Sequence, residues 1–222
     1  MKIQSAVFEV STPNLRSCPP PSLPEIAVIG RSNVGKSMLI NLLTERRELA
    51  KVSVTPGKTR LINFFVINGE WRLVDLPGYG FAKGARTERA DFNVAVADYL
   101  EKRTNLLRTL VLIDSELPPQ RIDLDFLNWL AGCEVAYTLI FTKTDKQPSQ
   151  VQANIARFKA RLAETQAAPS EIFACSSHTR KGRTEIMDFI ARTLAAGFPR
   201  SVPEAGGSSS DSTKDTGGPE QW

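Results

Sequence analysis

Residues 30–39 read GRSNVGKSML, directly after the apolar run EIAVI at 25–29. Gly30, Gly35, Lys36 and Ser37 satisfy the pattern G-x-x-x-x-G-K-[ST], with Arg31, Ser32, Asn33 and Val34 at the variable positions. Such a pattern suits polyphosphate binding. Phosphate oxygens need several converging backbone N–H donors, and glycine lets the main chain approach in conformations that other residues resist. A helix starting near Lys36 would aim its positive end at the same anion. Lys36 adds a mobile cation for β- and γ-phosphates, and Ser37 a hydroxyl for Mg²⁺.

Three further stretches fit that chemistry. Asp75-Leu76-Pro77-Gly78 puts a carboxylate at the tip of an apolar run, where it can meet Mg²⁺ through water, and a glycine N–H that can reach a γ-phosphate. The polar loop LAKVSVTPGKTR (49–60) can complete the magnesium shell with a hydroxyl, Thr55 or Thr59. Thr142-Lys143-Thr144-Asp145 closes another apolar run. The Asp145 carboxylate can accept from N1–H and the 2-amino group of guanine, which adenine does not offer in that geometry. A mismatch leaves a buried acceptor unpaired, at about 1–3 kcal/mol. The Lys143 stem would lie over the base plane, and Cys175-Ser176-Ser177 would turn backbone N–H groups toward the guanine O6.

The elements that must position these residues read as an alternation. EIAVIG (25–30), RTLVLID (108–114), VAYTLIFTK (135–143) and the shorter SEIFACS (170–176) are apolar runs of buried-strand type. LINFFVINGEWRLVD (61–75) reads as two antiparallel strands about Asn68-Gly69, a dipeptide suited to a type I′ turn. Helical spacing separates them: Leu39, Leu42 and Leu43 within 36–48; Phe92, Val96, Tyr99 and Leu100; Leu124, Phe126, Leu127 and Leu130; Val151, Ile155, Phe158 and Leu162; Ile186, Phe189 and Ile190. The order predicts an α/β fold, a mostly parallel sheet with one antiparallel edge hairpin and helices on both faces. Ligands on such sheets bind at the carboxyl ends of the strands.

The chain of 222 residues suits one main domain. Residues 1–24 read as an N-terminal extension ending in the proline-rich SCPPPSLP, 25–196 as the nucleotide-binding domain, and 197–222 as a Gly/Ser/Pro-rich disordered tail. Three scattered cysteines argue against a disulfide framework or zinc site and for a reducing cytoplasm. No apolar run approaches the roughly 20 residues that span a bilayer, and the N-terminus lacks a secretory core, so no membrane association is expected. Net charge is +4; the last 24 residues carry two basic and four acidic side chains, so the preceding 198 hold +6. That excess suits an anionic partner.

GRSNVGKS, TPGKTRLINFF, DLPGYG, TKTD and SS, in that order, resemble the EngB (YihA/YsxC) family of bacterial GTPases, within the TrmE-Era-EngA-EngB-septin class, over about residues 6–195. The resemblance implies a P-loop GTPase fold and GTP hydrolysis to GDP and phosphate. It makes Thr59 the switch threonine on Mg²⁺ beside Ser37, and puts Gly57, Lys58, Thr59, Arg60 and Leu61 at the nucleotide. It implies a monomer acting in assembly of the large ribosomal subunit, binding its precursor (rRNA and ribosomal proteins), and needed for normal septation and cell division. TKTD stands where most GTPases have Asn-Lys-x-Asp, a variation usual for this family. Tyr79 follows Gly78 where Ras-like enzymes have a water-orienting glutamine, so intrinsic turnover should be slow. Related GTPases hold K⁺ partly through a P-loop asparagine, and Asn33 is at the matching position. Lys36, Thr59 and Asn33 are thus the expected catalytic set.

His178, the single histidine, carries no catalytic expectation. Lys83, Arg86 and Arg89, with Arg46 and Arg47, are candidates for RNA contact or for a solvated face. Two rival readings remain: an ATP-dependent small-molecule kinase, which would not need Asp145, and a nucleotide-dependent scaffold of the division apparatus without a ribosomal role.

Overall fold

The computed structural model describes residues 1–46, 48–50, 61–79 and 86–197, and for 86–93 the helical backbone only. Seven strands form one sheet: β1 (Ala6–Thr12), β2 (Glu25–Gly30), β3 (Ile62–Ile67), β4 (Trp71–Asp75), β5 (Leu106–Asp114), β6 (Tyr137–Thr142) and β7 (Ile172–Ala174), in the order β1-β3-β4-β2-β5-β6-β7. From β4 to β7 every pairing is parallel. Five helices connect them: α1 (Lys36–Thr44), α2 (Arg86–Lys102), α3 (Arg121–Gly132), α4 (Pro148–Ala163) and α5 (Arg183–Ala195).

The β3–β4 hairpin turns through Asn68 and Gly69 at φ 53° and 72°, the positive pair that a type I′ turn requires. The sheet continues one strand past that hairpin. β1 pairs antiparallel with β3, Ala6 opposite Ile67 and Thr12 opposite Ile62, so β1 is the edge and the expected edge hairpin lies one position in. Part of the segment read as an N-terminal extension is therefore sheet. Asn68 secures it: its Oδ1 accepts from the N–H groups of Gln4 (2.7 Å) and Ser5 (3.1 Å).

Strand pleat sorts β2 into two cores. Ile26 and Val28 face α1 and α5, packing with Leu39, Ile40, Ile186 and Ile190. Ala27 and Ile29 face the other side, with Tyr99 of α2, Leu127 and Leu130 of α3, and Phe158 of α4. Continuous apolar runs are the signature of strands buried on both faces. The chain crosses from one side of β2 to the other between β4 and β5, so β2 lies at the switch point where a ligand crevice is expected. Gly30, Asp75, Asp114, Thr142 and Ala174 are the last residues of β2, β4, β5, β6 and β7.

Candidate guanine-nucleotide site

The segment between β2 and α1 is a backbone cradle. Asn33 (φ 64°) and Gly35 (φ 101°) both take left-handed conformations, turning successive main-chain amides the same way. Gly35 caps α1, whose first residues are Lys36 and Ser37. The segment after the fourth strand presses onto this loop. A Cβ on Gly78 would lie 2.6 Å from the Gly30 carbonyl oxygen, so no larger residue fits without displacing backbone. Leu76 and Pro77 are buried beside it, and the Leu76 N–H donates to Val28 O at 3.0 Å.

Lys36 Nζ pairs with the Asp75 carboxylate, and Asp75 Oδ2 also accepts from Asn63 Nδ2 at 3.2 Å. Asn63 is in turn held by Ser11 Oγ at 2.6 Å. The cation and carboxylate expected at the phosphates and the metal are thus in contact with each other. No cluster of three or more His, Cys, Asp or Glu side chains able to hold a metal occurs among the described residues. One hydroxyl and one carboxylate at a phosphate cradle suit Mg²⁺, which keeps several waters and takes its remaining oxygens from the substrate. Of the second stretch expected at the nucleotide, Leu61 is exposed just before β3. Gly57, Lys58, Thr59 and Arg60 lie outside the described residues, as do Thr55, Arg47, Lys83 and the side chains of Arg86 and Arg89.

The base side is more completely built. A cleft of about 340 Å³ is lined by Asn33 and Gly35 from the phosphate loop and by Lys143, Asp145, Ser177 and His178 from the loops after β6 and β7. The two halves predicted from separate motifs therefore share one cavity. Asp145 Oδ1 accepts from Ser176 Oγ at 2.6 Å, and Ser176 Oγ accepts from the Thr179 N–H at 3.0 Å. The Ser176 hydroxyl, more than any other group, holds the Asp145 carboxyl below its ordinary value. The loop is fixed from behind: a Cβ on Gly182 (φ 82°) would lie 2.2 Å from Ala174 O. Cys175 is buried beneath it, its N–H donating to Phe141 O at 2.7 Å, and burial pushes its thiol up to about 11.

Thr142 also lines this cleft, and its hydroxyl turns back to the phosphate loop. Its hydroxyl is 2.6 Å from Val34 O and 3.2 Å from Ile113 O, so it ties the phosphate loop to the sheet. The Thr144 hydroxyl is buried without a partner among the described residues, and its N–H donates to Cys175 O at 3.3 Å. Lys143 Nζ reaches Asp114 Oδ2 (2.6 Å) and Glu116 Oε2 (3.3 Å), which hold its stem along the cleft wall. Asp114 and Glu116 were not expected from the sequence, although Asp114 ends an apolar run just as Asp75 does. Asp123 was also missed. It lies on the buried face of α3, where it accepts from Arg31 and Tyr79.

A cradle after β2 that shares a cleft with a carboxylate after β6, and whose lysine pairs with a carboxylate at the end of β4, defines a P-loop GTPase. The family described as 50S ribosome-binding GTPase matches residues 25–143. The probable GTP-binding protein EngB of Bacteroides thetaiotaomicron is 46% identical over 191 residues, covering 86% of this chain and 95% of that protein. That of Christiangramia forsetii is 44% identical over 191 residues, covering 86% and 96%. A crystal structure of a probable GTP-binding protein EngB superposes with a TM-score of 0.58 at 20% identity, over 78% of this chain and all of that one. Era, in complex with MgGDPNP and nucleotides 1506–1542 of 16S ribosomal RNA, superposes at 0.59 and 22% identity, over 82% of this chain and 58% of that one. The chain belongs to the EngB family of GTP-binding proteins, and its activity is GTP hydrolysis. No described helix is long and apolar enough to cross a membrane.

Proposed function

We propose that the protein is a slowly hydrolysing GTP/GDP switch that acts in assembly of the large ribosomal subunit in the cytoplasm and is required for normal cell division and septation. The reading is carried by the shared cleft: Asp145, oriented by Ser176, faces the same cavity as Asn33 and Gly35 of the phosphate loop. In this reading Asp145 selects guanine, and the loop from Gly30 to Ser37 wraps the phosphates. Lys36 leaves Asp75 for the β- and γ-oxygens. Ser37 and Thr59 would hold Mg²⁺, with Asp75 acting through water. Held there, Mg²⁺ would supply positive charge that offsets the charge of the phosphates. The Gly78 N–H would report the γ-phosphate, since that contact disappears with the phosphate.

Slow turnover is supported by Tyr79, whose hydroxyl is engaged by Asp123 and whose ring stacks on Phe126, centroids 4.1 Å apart. A phenol held there does not orient an attacking water. K⁺ held partly by Asn33 would supply the missing positive charge. That idea requires hydrolysis several-fold faster in K⁺ than in Na⁺, and equal rates remove it.

A ribosomal partner is supported by the description of the matched family and by the net charge of +6 before the tail. Cosedimentation with large-subunit particles tests it. Binding is expected with a GTP analogue and loss of binding with GDP, whereas no nucleotide-dependent difference favours a division scaffold. The kinase alternative fails if Asp145→Asn shifts preference from guanine toward xanthine nucleotides.

A further inference from the structure

Beneath the phosphate loop, two segments meet on one buried carboxylate. Asp123 is 1% exposed on α3. Its Oδ1 accepts from Arg31 Nε at 2.9 Å and from the Tyr79 hydroxyl at 2.9 Å, and its Oδ2 lies 3.2 Å from Arg31 Nε. Arg31 is in the phosphate loop, one residue after Gly30. Tyr79 immediately follows Gly78. The two donors therefore come from the two segments expected on either side of a γ-phosphate.

The arrangement exceeds what packing α3 needs. Leu124, Leu127 and Leu130 already bury this helix against the sheet. A carboxylate placed on that apolar face costs desolvation, which only good partners offset. Burial pushes the Asp123 carboxyl up while Arg31 pulls it down, and burial next to Asp123 holds the Tyr79 hydroxyl well above its ordinary value. The phenol is thus a committed donor. Its ring is clamped as well, stacked on Phe126, which stacks on Trp129 at 5.7 Å. On the other side of the same peptide, Gly78 is pressed against Gly30 O with no room for a side chain. The Gly78 amide is fixed from both sides: by contact with the phosphate loop, and by a strap running from Tyr79 through Asp123 to Arg31.

We propose that Asp123 is a positioning residue of the GTPase cycle: through Tyr79 and Arg31 it sets the distance between the Gly78 amide and the phosphate loop, and so the preference for triphosphate over diphosphate. The inference rests on the nucleotide site proposed above. GDP has no γ-phosphate for Gly78 to meet, so loosening the strap leaves GDP binding nearly intact and weakens the triphosphate. A strap that served only folding would weaken both nucleotides together.

The test is titration of full-length protein, with Mg²⁺, with fluorescent GDP and a fluorescent non-hydrolysable GTP analogue. Tyr79→Phe removes one donor without changing shape, and Asp123→Asn removes the charge that both donors share. For Tyr79→Phe the GTP-analogue Kd is expected to rise about tenfold, with the GDP Kd within about twofold of wild type, as one lost hydrogen bond to an ionised acceptor implies. Combining both substitutions should shift the Kd ratio no further than Asp123→Asn alone, because both break one strap. Should Asp123→Asn not fold, the Tyr79→Phe ratio alone decides. An unchanged GTP-analogue to GDP ratio in Tyr79→Phe, including equal weakening of both, overturns the proposal. If wild type itself shows no preference for guanosine over adenosine nucleotides, the nucleotide site falls and the strap with it; a clear guanine preference with an unchanged ratio sinks the strap alone.

Discussion

Lys36 and Asp75 are paired with each other, their side chains 12% and 6% exposed, so the cation that is to meet the phosphates is held by the carboxylate that is to support the metal. In the roles proposed for them, nucleotide binding would separate the pair, with phosphate oxygens taking the ammonium and the Asn63 amide remaining for the carboxylate. Without nucleotide, Lys36→Met strands a buried carboxylate, a change that costs about 3–5 kcal/mol when a buried pair is broken from one side. The Asn63 hydrogen bond places the expected loss at the lower end. Urea unfolding of nucleotide-free protein measures it; an unchanged midpoint would show that the pair is not held in solution.

Thr142 separates holding the loop from reading the base. Thr142→Val keeps the shape and removes the hydroxyl that binds Val34 O. The orphaned carbonyl should weaken GDP and GTP about equally, by about tenfold, with guanine preference intact. Asp145→Asn should do the reverse, losing preference for guanine over xanthine. Competition binding with guanosine, xanthosine and adenosine diphosphates distinguishes them, and a change of base preference in Thr142→Val would assign that hydroxyl to the base.

Much of this arrangement was legible because it rests on local rules. Gly30, Gly35, Lys36 and Ser37 are spaced by loop and helix geometry, and Asn68-Gly69 announces its turn by backbone preference alone. What escaped depends on tertiary placement. Asp123 is one of three charged residues in RIDLDFLNWL, yet it stands four and seven residues before Leu127 and Leu130, on the same helix face. A carboxylate on an apolar stripe was the available signal. β1 escaped for the opposite reason. Val7, Phe8 and Glu9 are all exposed, so no alternation marks AVFEVST as a strand, and its place is set by backbone pairing with β3.

The acid limb of nucleotide binding should report the Ser176–Asp145 bond. Chiefly through the Ser176 hydroxyl, the Asp145 carboxyl titrates below its ordinary 3.8. A lowered acid favours the ionised form in the fold, so its contribution is present above 3.8 and is lost as pH falls through the lower folded value. The guanine recognition proposed for Asp145 uses the same ionised form. Ser176→Ala should move the onset of acid loss of GDP affinity to higher pH, and weaken affinity modestly at neutral pH. Titrations from about pH 7 to about pH 3 compare the two; coincident acid limbs would mean that the hydroxyl does not control the carboxylate.

The last test concerns where the domain begins. Arg72 is 4% exposed and its guanidinium is satisfied largely from the N-terminal segment: Glu9 at 2.7 and 3.0 Å and Pro20 O at 3.0 Å. Arg103 likewise donates to Pro19 O at 2.8 Å while gripping the fully buried Glu25, which also accepts from the Tyr99 hydroxyl at 2.7 Å. A chain cut to begin at Glu25 keeps every nucleotide motif but leaves two arginines short of acceptors and opens the β3 edge. The cut breaks the Arg72–Glu9 pair from one side, at up to about 3–5 kcal/mol, and removes the carbonyl acceptor of Arg103, at about 1–3 kcal/mol, together a large share of a typical domain's stability. An open edge also invites strand pairing between copies. The shortened chain should therefore unfold at much lower urea and scatter light in a concentration-dependent way, while Glu9→Gln in the full chain, which keeps an acceptor for Arg72, should lose only about 1–2 kcal/mol. If the shortened chain matched the full one in urea midpoint, β1 would be an appendage and the polar cluster around Glu25 would be self-sufficient.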